Sequence, residues 1–240
     1  MPVTYDDVVK ARETQSKVIR KTTLEFSETF SKICGSKIYL KNEYEQKTGS
    51  FKIRGAYYKI KSLTDEEKSN GVVAATAGNH SQGVAFASHI ENIPCTIVMP
   101  KTASPAKVSA TKGYGANVVL EGSTYDESWA HAQKISSETN ATIIHAFDDS
   151  HVIAGQGVIG LEIIEQLPDV DEIYVPIGGG GLVAGIITAV KEKNPQVKII
   201  GVDSSAYPTM KKSLENNTHE TVSGDTTIAD GISVKTPGKL

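Results

Sequence analysis

The sequence is poor in several features, and each scarcity limits what the protein can be. Only two cysteines, Cys34 and Cys95, occur among 240 residues. They lie far apart and match no metal-ligand spacing, so we expect free thiols in a reducing cytoplasm. No apolar run approaches the roughly 18 residues of a membrane span. The N-terminal stretch, residues 1–21, lacks the apolar core of a secretory signal.

Clustered positive charge is also scarce. The chain has 25 Lys and Arg against 28 Asp and Glu, a net charge of −3. Without a basic face, nucleic acid is not an expected partner. Hydrophobic residues make up 39% and charged residues 22%, which is enough apolar content to build a core and excludes a disordered chain.

Short apolar stretches alternate with helical ones along most of the chain. The apolar stretches do not alternate with polar residues, which indicates parallel strands covered on both faces. The sequence therefore predicts an α/β fold, whose ligands lie beyond the carboxyl ends of the strands. Strands are predicted over 37–41, 72–76, 96–99, 117–120, 142–145, 173–177 and 197–202, and the main helices over 5–20, 81–90, 124–138, 151–167 and 182–193.

Three glycines interrupt the predicted helix 151–167. Gly155, Gly157 and Gly160 lower its intrinsic helix propensity. We expect that close packing against neighbouring helices compensates for that loss.

Lys52 lies near the start of a predicted helix, directly after a Gly-Ser turn. A helix N-terminus carries partial positive charge and favours anions, so this is an unusual place for a structural lysine. A lysine that must be neutral part of the time, as a nucleophile, explains the position better. The alternative is a solvated helix lysine beside Arg54.

Four consecutive glycines, residues 178–181, follow a predicted strand and open a helix. Their bare backbone N–H groups at a positive helix end form a phosphate cradle in physical terms. The alternative is a flexible turn, for which four glycines are costly. No Lys-Ser or Lys-Thr follows, which excludes a Walker-type nucleotide loop.

A nicotinamide site is a second explanation of these glycines. Gly179, Gly181 and Ala184 fit the G-x-G-x-x-A pattern, and Asp203 ends the next strand at about the distance of a ribose contact. Only 37 residues follow Asp203, too few for the remaining strands of a dinucleotide domain. This alternative also leaves Lys52 without a role.

A third cluster, residues 76–83, combines small and polar residues at another helix start. The backbone N–H groups of Gly78, Asn79 and His80 could hold a carboxylate, and Asn79 could donate to a phenolic oxygen. His80 could equally be a structural histidine. A nucleophilic lysine, a cradle for one phosphate and a small carboxylate site together indicate pyridoxal phosphate.

Taken together, these motifs resemble those of a known family, the type II (tryptophan synthase β-like) pyridoxal-phosphate enzymes. Within that family it is most similar to the threonine/serine ammonia-lyases (threonine dehydratases) and is related to serine racemase. The resemblance runs almost the whole length. It is carried by residues 50–56, 77–83, 106–107, 113–116, 154–157, 178–182 and 228–231.

The resemblance implies a role for each matching residue. Lys52 would be the catalytic residue that bonds the cofactor and removes the Cα proton of the amino acid. Phe51 would pack against the cofactor ring, and Asn79 would bond the ring hydroxyl. The phosphate would lie on Gly178, Gly179, Gly180, Gly181 and the N–H of Leu182, and the substrate carboxylate among Thr76, Gly78, Asn79 and His80.

The implied activity is that of a pyridoxal-phosphate-dependent hydro-lyase, an ammonia-lyase acting on L-threonine or L-serine. Racemases of the family carry a serine where this chain has Ala77, which favours elimination over racemisation. The alternatives are a serine racemase-like enzyme and an inactive cofactor-binding remnant. We expect a homo-oligomer with no membrane partner. The metal site is left unassigned, because Tyr207 and Thr209 supply no acidic ligand after Asp203.

The resemblance also implies two lobes, each with a mostly parallel sheet flanked by helices. We expect a larger lobe from 1–44 and 150–240, and a smaller nested lobe from 45–149. The family normally continues beyond residue 240, so the larger lobe is expected to be incomplete, with an exposed sheet edge and apolar surface.

Overall fold

The computed structural model describes residues 3–76 and 78–240. Helices and strands alternate along them as the sequence predicts. The helices are α1 Tyr5–Gln15, α2 Glu28–Cys34, α3 Lys52–Lys61, α4 Asp65–Asn70, α5 Asn79–Ile90, α6 Pro105–Gly113, α7 Tyr125–Thr139, α8 Ser150–Gln166, α9 Gly181–Lys193 and α10 Thr209–Asn216. The strands are β1 Leu24–Phe26, β2 Tyr39–Lys41, β3 Val72–Ala75, β4 Cys95–Met99, β5 Asn117–Leu120, β6 Thr142–Ile143, β7 Glu172–Pro176 and β8 Lys198–Val202.

The strands form three sheets in the described residues. The four-stranded sheet has the order β5-β4-β3-β6 and is parallel throughout. Strands β7 and β8 form a parallel pair, with Glu172 opposite Lys198. The short hairpin β1–β2 is antiparallel. The predicted α/β fold with mostly parallel sheets is confirmed.

Several boundaries differ from those predicted. Helix α1 ends at Gln15 rather than at residue 20, because the N–H groups of Val18 and Ile19 both turn back to the Gln15 carbonyl. Strand β6 ends at Ile143 rather than at residue 145, and the next carbonyl, that of Ile144, bonds a histidine side chain instead. Strand β1 and helix α10 were not predicted.

The glycines of α8 allow neighbouring helices to approach closely. A β-carbon at Gly155 would lie 2.7 Å from the Cα of Gly55 on α3. A β-carbon at Gly157 would lie 2.8 Å from the carbonyl oxygen of Gly185 on α9. The expected compensation by close packing is therefore confirmed, and α8 holds α3 and α9 on its two sides.

The sheets are separated along the sequence. The four-stranded sheet uses residues between 72 and 143, and the β7–β8 pair uses residues between 172 and 202. Tyr174 and Val202 on the second sheet are exposed. The division into lobes at 1–44 with 150–240 and at 45–149 stays a prediction.

The structure also describes the two cysteines and tests for a membrane-spanning helix. Cys34 and Cys95 are both free thiols, as expected. Burial raises the pKa of the Cys95 thiol to about 12, so this thiol is neutral at physiological pH. Over residues 3–76 and 78–240, no helix combines the length and the hydrophobicity needed to cross a bilayer.

A cluster of largely buried charges fixes the start of α3. The fully buried Arg54 donates from Nε to Glu43 Oε2 at 2.8 Å and from Nη1 to Glu162 Oε1 at 2.7 Å. Glu162 also accepts from Lys41 Nζ at 2.6 Å. The cluster thus joins β2, the turn after it, α3 and α8 with two cations and two carboxylates.

Glu162→Gln should destabilise the protein strongly. The change leaves Arg54 and Lys41 with one carboxylate between them, and an uncompensated buried charge costs about 3–5 kcal/mol. Urea unfolding at neutral pH measures the loss in the free energy of unfolding. Glu165→Gln is the matched control, since Glu165 lies one turn further along α8 and pairs with Arg12 and Lys21 on the surface.

The two glutamates differ mainly in burial, with 7% of the Glu162 side chain exposed against 45% for Glu165. We expect the control to lose no more than about 1 kcal/mol. Equal losses for both variants would contradict a special role for the buried cluster.

Candidate active site

Lys52 is the first residue of α3, as predicted, and its amine is enclosed by protein. Nζ donates to the carbonyl of Ala146 at 2.9 Å and lies 5.3 Å from the centre of the Phe51 ring. Burial lowers the pKa of Lys52 to about 8. The amine is therefore neutral in a substantial fraction of molecules near physiological pH, which an ordinary lysine is not.

The backbone beneath Lys52 is fixed by contact with α5. A β-carbon at Gly83 would lie 3.0 Å from the backbone nitrogen of Ile53. Helices α3 and α5 therefore cross with their backbones almost touching. This contact brings Lys52 close to the start of α5, where Asn79 and His80 lie.

His80 is buried, and its ring has a structural contact. Nε2 lies 2.9 Å from the carbonyl oxygen of Ile144, and since a carbonyl only accepts, Nε2 carries the ring proton. Burial, and secondarily the charge of Lys52, lowers the pKa of His80 to about 3. The His80 side chain is neutral and holds the chain after β6, in agreement with the alternative of a structural histidine.

The polar loop before α5 is described through Thr76 and Gly78, which lie between β3 and α5. The N–H of Gly78 donates to Thr76 Oγ1 at 3.2 Å. Asn79 begins α5 and is exposed, so its side-chain amide is open to a ligand. Ala77, on which the expected preference for elimination over racemisation depends, lies outside the described residues.

The four glycines connect β7 to α9 and are tightly packed. A β-carbon at Gly179 would lie 2.2 Å from a ring carbon of Phe147, and one at Gly181 would lie 2.5 Å from the Phe147 carbonyl oxygen. Gly180 has a φ of +97°, a conformation that glycine tolerates best. The loop is therefore closely packed against Phe147.

Two links bring the lysine and the glycine loop together. Phe51 directly precedes Lys52, and Leu182 directly follows the glycine loop. Both side chains pack against the same apolar core cluster. Ala146 accepts from the Lys52 amine, and the next residue, Phe147, packs on Gly179. A cavity of about 140 Å3 lies beside the glycine loop and is lined in part by Phe147, Asp148 and Met210.

Sequence reasoning did not single out Ala146 or Phe147. They follow the predicted strand 142–145, and their place at the carboxyl end of a parallel strand is the signal that could have found them. Asp203, the other candidate from the sequence, accepts from the backbone N–H of Lys211 at 2.9 Å.

Comparison with known proteins identifies the family of the chain. The family model of the pyridoxal-phosphate dependent enzymes matches residues 15–240. The chain belongs to this family. It is 52% identical over 238 residues to the L-threonine ammonia-lyase of Thermotoga maritima, covering 99% of this chain and 59% of that relative. The chain thus spans about three fifths of that relative's length.

Solved structures of the family share the fold. The structure of maize serine racemase superposes with a TM-score of 0.97 at 33% identity, over all of this chain and 73% of that one. The processed form of threonine deaminase isoform 2 from Solanum lycopersicum gives 0.93 at 39% identity, over all of this chain and 68% of that one. The family and fold predicted from the sequence motifs are confirmed.

Modification of Lys52 by an amine-directed reagent should depend on pH with a midpoint near 8. Below that pH the amine is protonated and unreactive, and above it the rate should level off. An ordinary lysine is less than about 1% neutral at pH 8. Peptide mapping of the cofactor-free chain gives the labelling rate of Lys52, with exposed Lys37 as the control for reagent reactivity. Labelling of Lys52 that still rises steeply above pH 10 would contradict the lowered pKa.

Proposed function

We propose that this chain carries the cofactor site of a threonine ammonia-lyase, which converts L-threonine to 2-oxobutanoate and ammonia and L-serine to pyruvate. The observation that supports it most is the linkage of a desolvated lysine amine to a closely packed glycine loop through Ala146 and Phe147. The identity to an L-threonine ammonia-lyase over nearly the whole chain supports the substrate class.

The residues present fit pyridoxal phosphate. A phosphate needs backbone N–H donors that it can approach closely, and the glycine loop at the start of α9 carries no side chains of its own to block that approach. An aldehyde reacts with an amine only when the amine is neutral. The Lys52 amine is neutral in a substantial fraction of molecules near physiological pH. When bound, this cofactor supplies an aldehyde that bonds amines and a ring that accepts electrons from an amino acid.

The proposed holding residues lie on three elements. Gly178, Gly179, Gly180 and Gly181 with the N–H of Leu182 would hold the phosphate. Phe51 would pack against the ring, and the exposed amide of Asn79 would donate to the ring hydroxyl. The substrate carboxylate would lie on Thr76, Gly78, Asn79 and His80, with His80 acting through its backbone N–H because its ring is bonded to Ile144.

In the proposed reaction Lys52 acts as a base. Nζ would remove the Cα proton of a bound amino acid, and the electron pair left at Cα would expel the β-hydroxyl group; the cofactor, when bound, would supply the ring that accepts those electrons. The carbonyl of Ala146 orients the amine, and the surrounding protein keeps its pKa low enough for this exchange of protons. Water then completes the conversion to a 2-oxo acid and ammonia.

Racemisation of serine is the second candidate function. The superposition on maize serine racemase favours it, and both activities need the same lysine and phosphate loop. The two are separated by comparing the rates of pyruvate and D-serine formation from L-serine. The nicotinamide alternative gives Lys52 and Asn79 no role, and we do not propose it.

Other properties remain predictions from the sequence. A cytoplasmic location, assembly into a homo-oligomer and a small amino acid as the substrate follow from the composition and the resemblance. A remnant that binds the cofactor without turnover is distinguished from an enzyme by the assay below.

Lys52→Ala should abolish both cofactor attachment and turnover. We expect the unaltered chain, purified with pyridoxal phosphate, to show a visible absorbance band and, after borohydride reduction, an adduct on Lys52. Lys61→Ala is the matched control, since Lys61 lies on the same helix and pairs with Glu91 at the surface. Formation of 2-oxobutanoate by Lys52→Ala would refute the assignment. A band without turnover in the unaltered chain would identify a cofactor-binding remnant.

Gly179→Ala should weaken cofactor binding by at least about tenfold, since the new methyl group meets the Phe147 ring at 2.2 Å and shifts the loop. The fraction of chain with the absorbance band, measured against cofactor concentration, gives the dissociation constant. Gly113→Ala is the control, because a β-carbon there meets no atom of the described residues within 4 Å. Equal affinity in the two variants would show that the loop does not hold the phosphate.

A further inference from the structure

An ion pair connects the polar loop before α5 to the segment behind the glycine loop. Lys107 on α6 places Nζ 2.9 Å from Oδ2 of Asp230. Asp230 opens a short 3-10 turn, Asp230–Ile232, and that turn packs on Gly178, where a β-carbon would lie 3.4 Å from the Cα of Ile232. The pair therefore links the side chain beside Gly78 to the turn that packs on the glycine loop. Its two residues are 123 positions apart in sequence.

The side chain of Lys107 runs along the loop proposed for the substrate carboxylate. A β-carbon at Gly78 would lie 3.2 Å from Lys107 Nζ and 3.5 Å from its Cδ and Cε atoms. A larger residue at position 78 would displace this side chain. The ammonium thus lies beside a glycine of the proposed carboxylate site.

The exposure of the two charges differs. The Lys107 side chain is 34% exposed, whereas that of Asp230 is 72% exposed. Water screens the aspartate more strongly, so it only partly cancels the field of the ammonium. An exposed ion pair contributes little to stability, and stability alone does not explain why the lysine stem lies on Gly78.

We propose that Lys107 supplies a positive charge that binds the carboxylate of the amino-acid substrate, and that Asp230 is a positioning residue that holds the ammonium beside Gly78. This inference rests on the proposed function, since it requires an amino acid bound at Thr76, Gly78, Asn79 and His80. The proposal gives a role to Lys107 and Asp230, which are not among the residues proposed to hold the cofactor.

The test uses the full chain loaded with pyridoxal phosphate and two amines. L-Alanine has a carboxylate but no β-hydroxyl group, so it can bind without elimination, and ethylamine lacks the carboxylate. Titration of the cofactor absorbance with each gives a dissociation constant. Lys107→Gln should raise that of L-alanine about tenfold, the effect of one charge-assisted contact, and leave that of ethylamine unchanged.

Asp230→Asn should weaken L-alanine binding by a smaller factor, and added salt should reduce the difference between Lys107→Gln and the unaltered chain. Lys101→Gln is the matched control, since Lys101 pairs with Glu121 in an exposed contact at 3.4 Å. We expect it to bind both amines as the unaltered chain does.

Two results would overturn the inference. An unchanged L-alanine constant in Lys107→Gln would show that the charge is not used, and equal weakening for both amines would show a structural role. In either case a normal absorbance band in the variant keeps the proposed function intact. Absence of the band from the unaltered chain would instead remove the proposed function and this inference together.

Discussion

The buried cluster around Arg54 is the interaction on which the rest of the site depends. Successive helical residues are rotated by about 100°, so Lys52 and Arg54, two positions apart, project to nearly opposite sides of α3. Arg54 is held between Glu43 and Glu162 on the core side, which leaves Lys52 directed towards the site. A lysine amine stays desolvated only if its helix cannot move, and the cluster supplies that constraint.

Close backbone contact is the second constraint, and it comes from glycine. Gly83 brings α5 against the backbone of α3, and Gly155 brings α8 against Gly55 on the same helix. The start of α3 is therefore enclosed by two other helices. Because interiors are close-packed and do not deform continuously, the lysine and the polar loop before α5 keep fixed relative positions.

Much of the fold could be predicted from sequence because its strands are uniformly apolar and its helices have clear starts and stops. Strand β1 could not, since its three residues become a strand only through pairing with β2. The glycine loop and Lys52 were visible as local anomalies. Phe147 and the Lys107–Asp230 pair were not assigned roles, because their significance lies in contacts between segments distant in sequence.

Three basic groups near the site, Lys52, His80 and His145, have pKa values lowered by the same cause, which is burial. Burial lowers the pKa of Lys52 to about 8 and that of His80 to about 3. His80 is therefore neutral whenever Lys52 is changing its charge, so it adds no positive field that would vary with pH. Burial shifts the neighbouring His145 towards its neutral form as well. A base that must accept a proton from Cα and give it up again is best served by a pKa near the working pH, which burial gives Lys52.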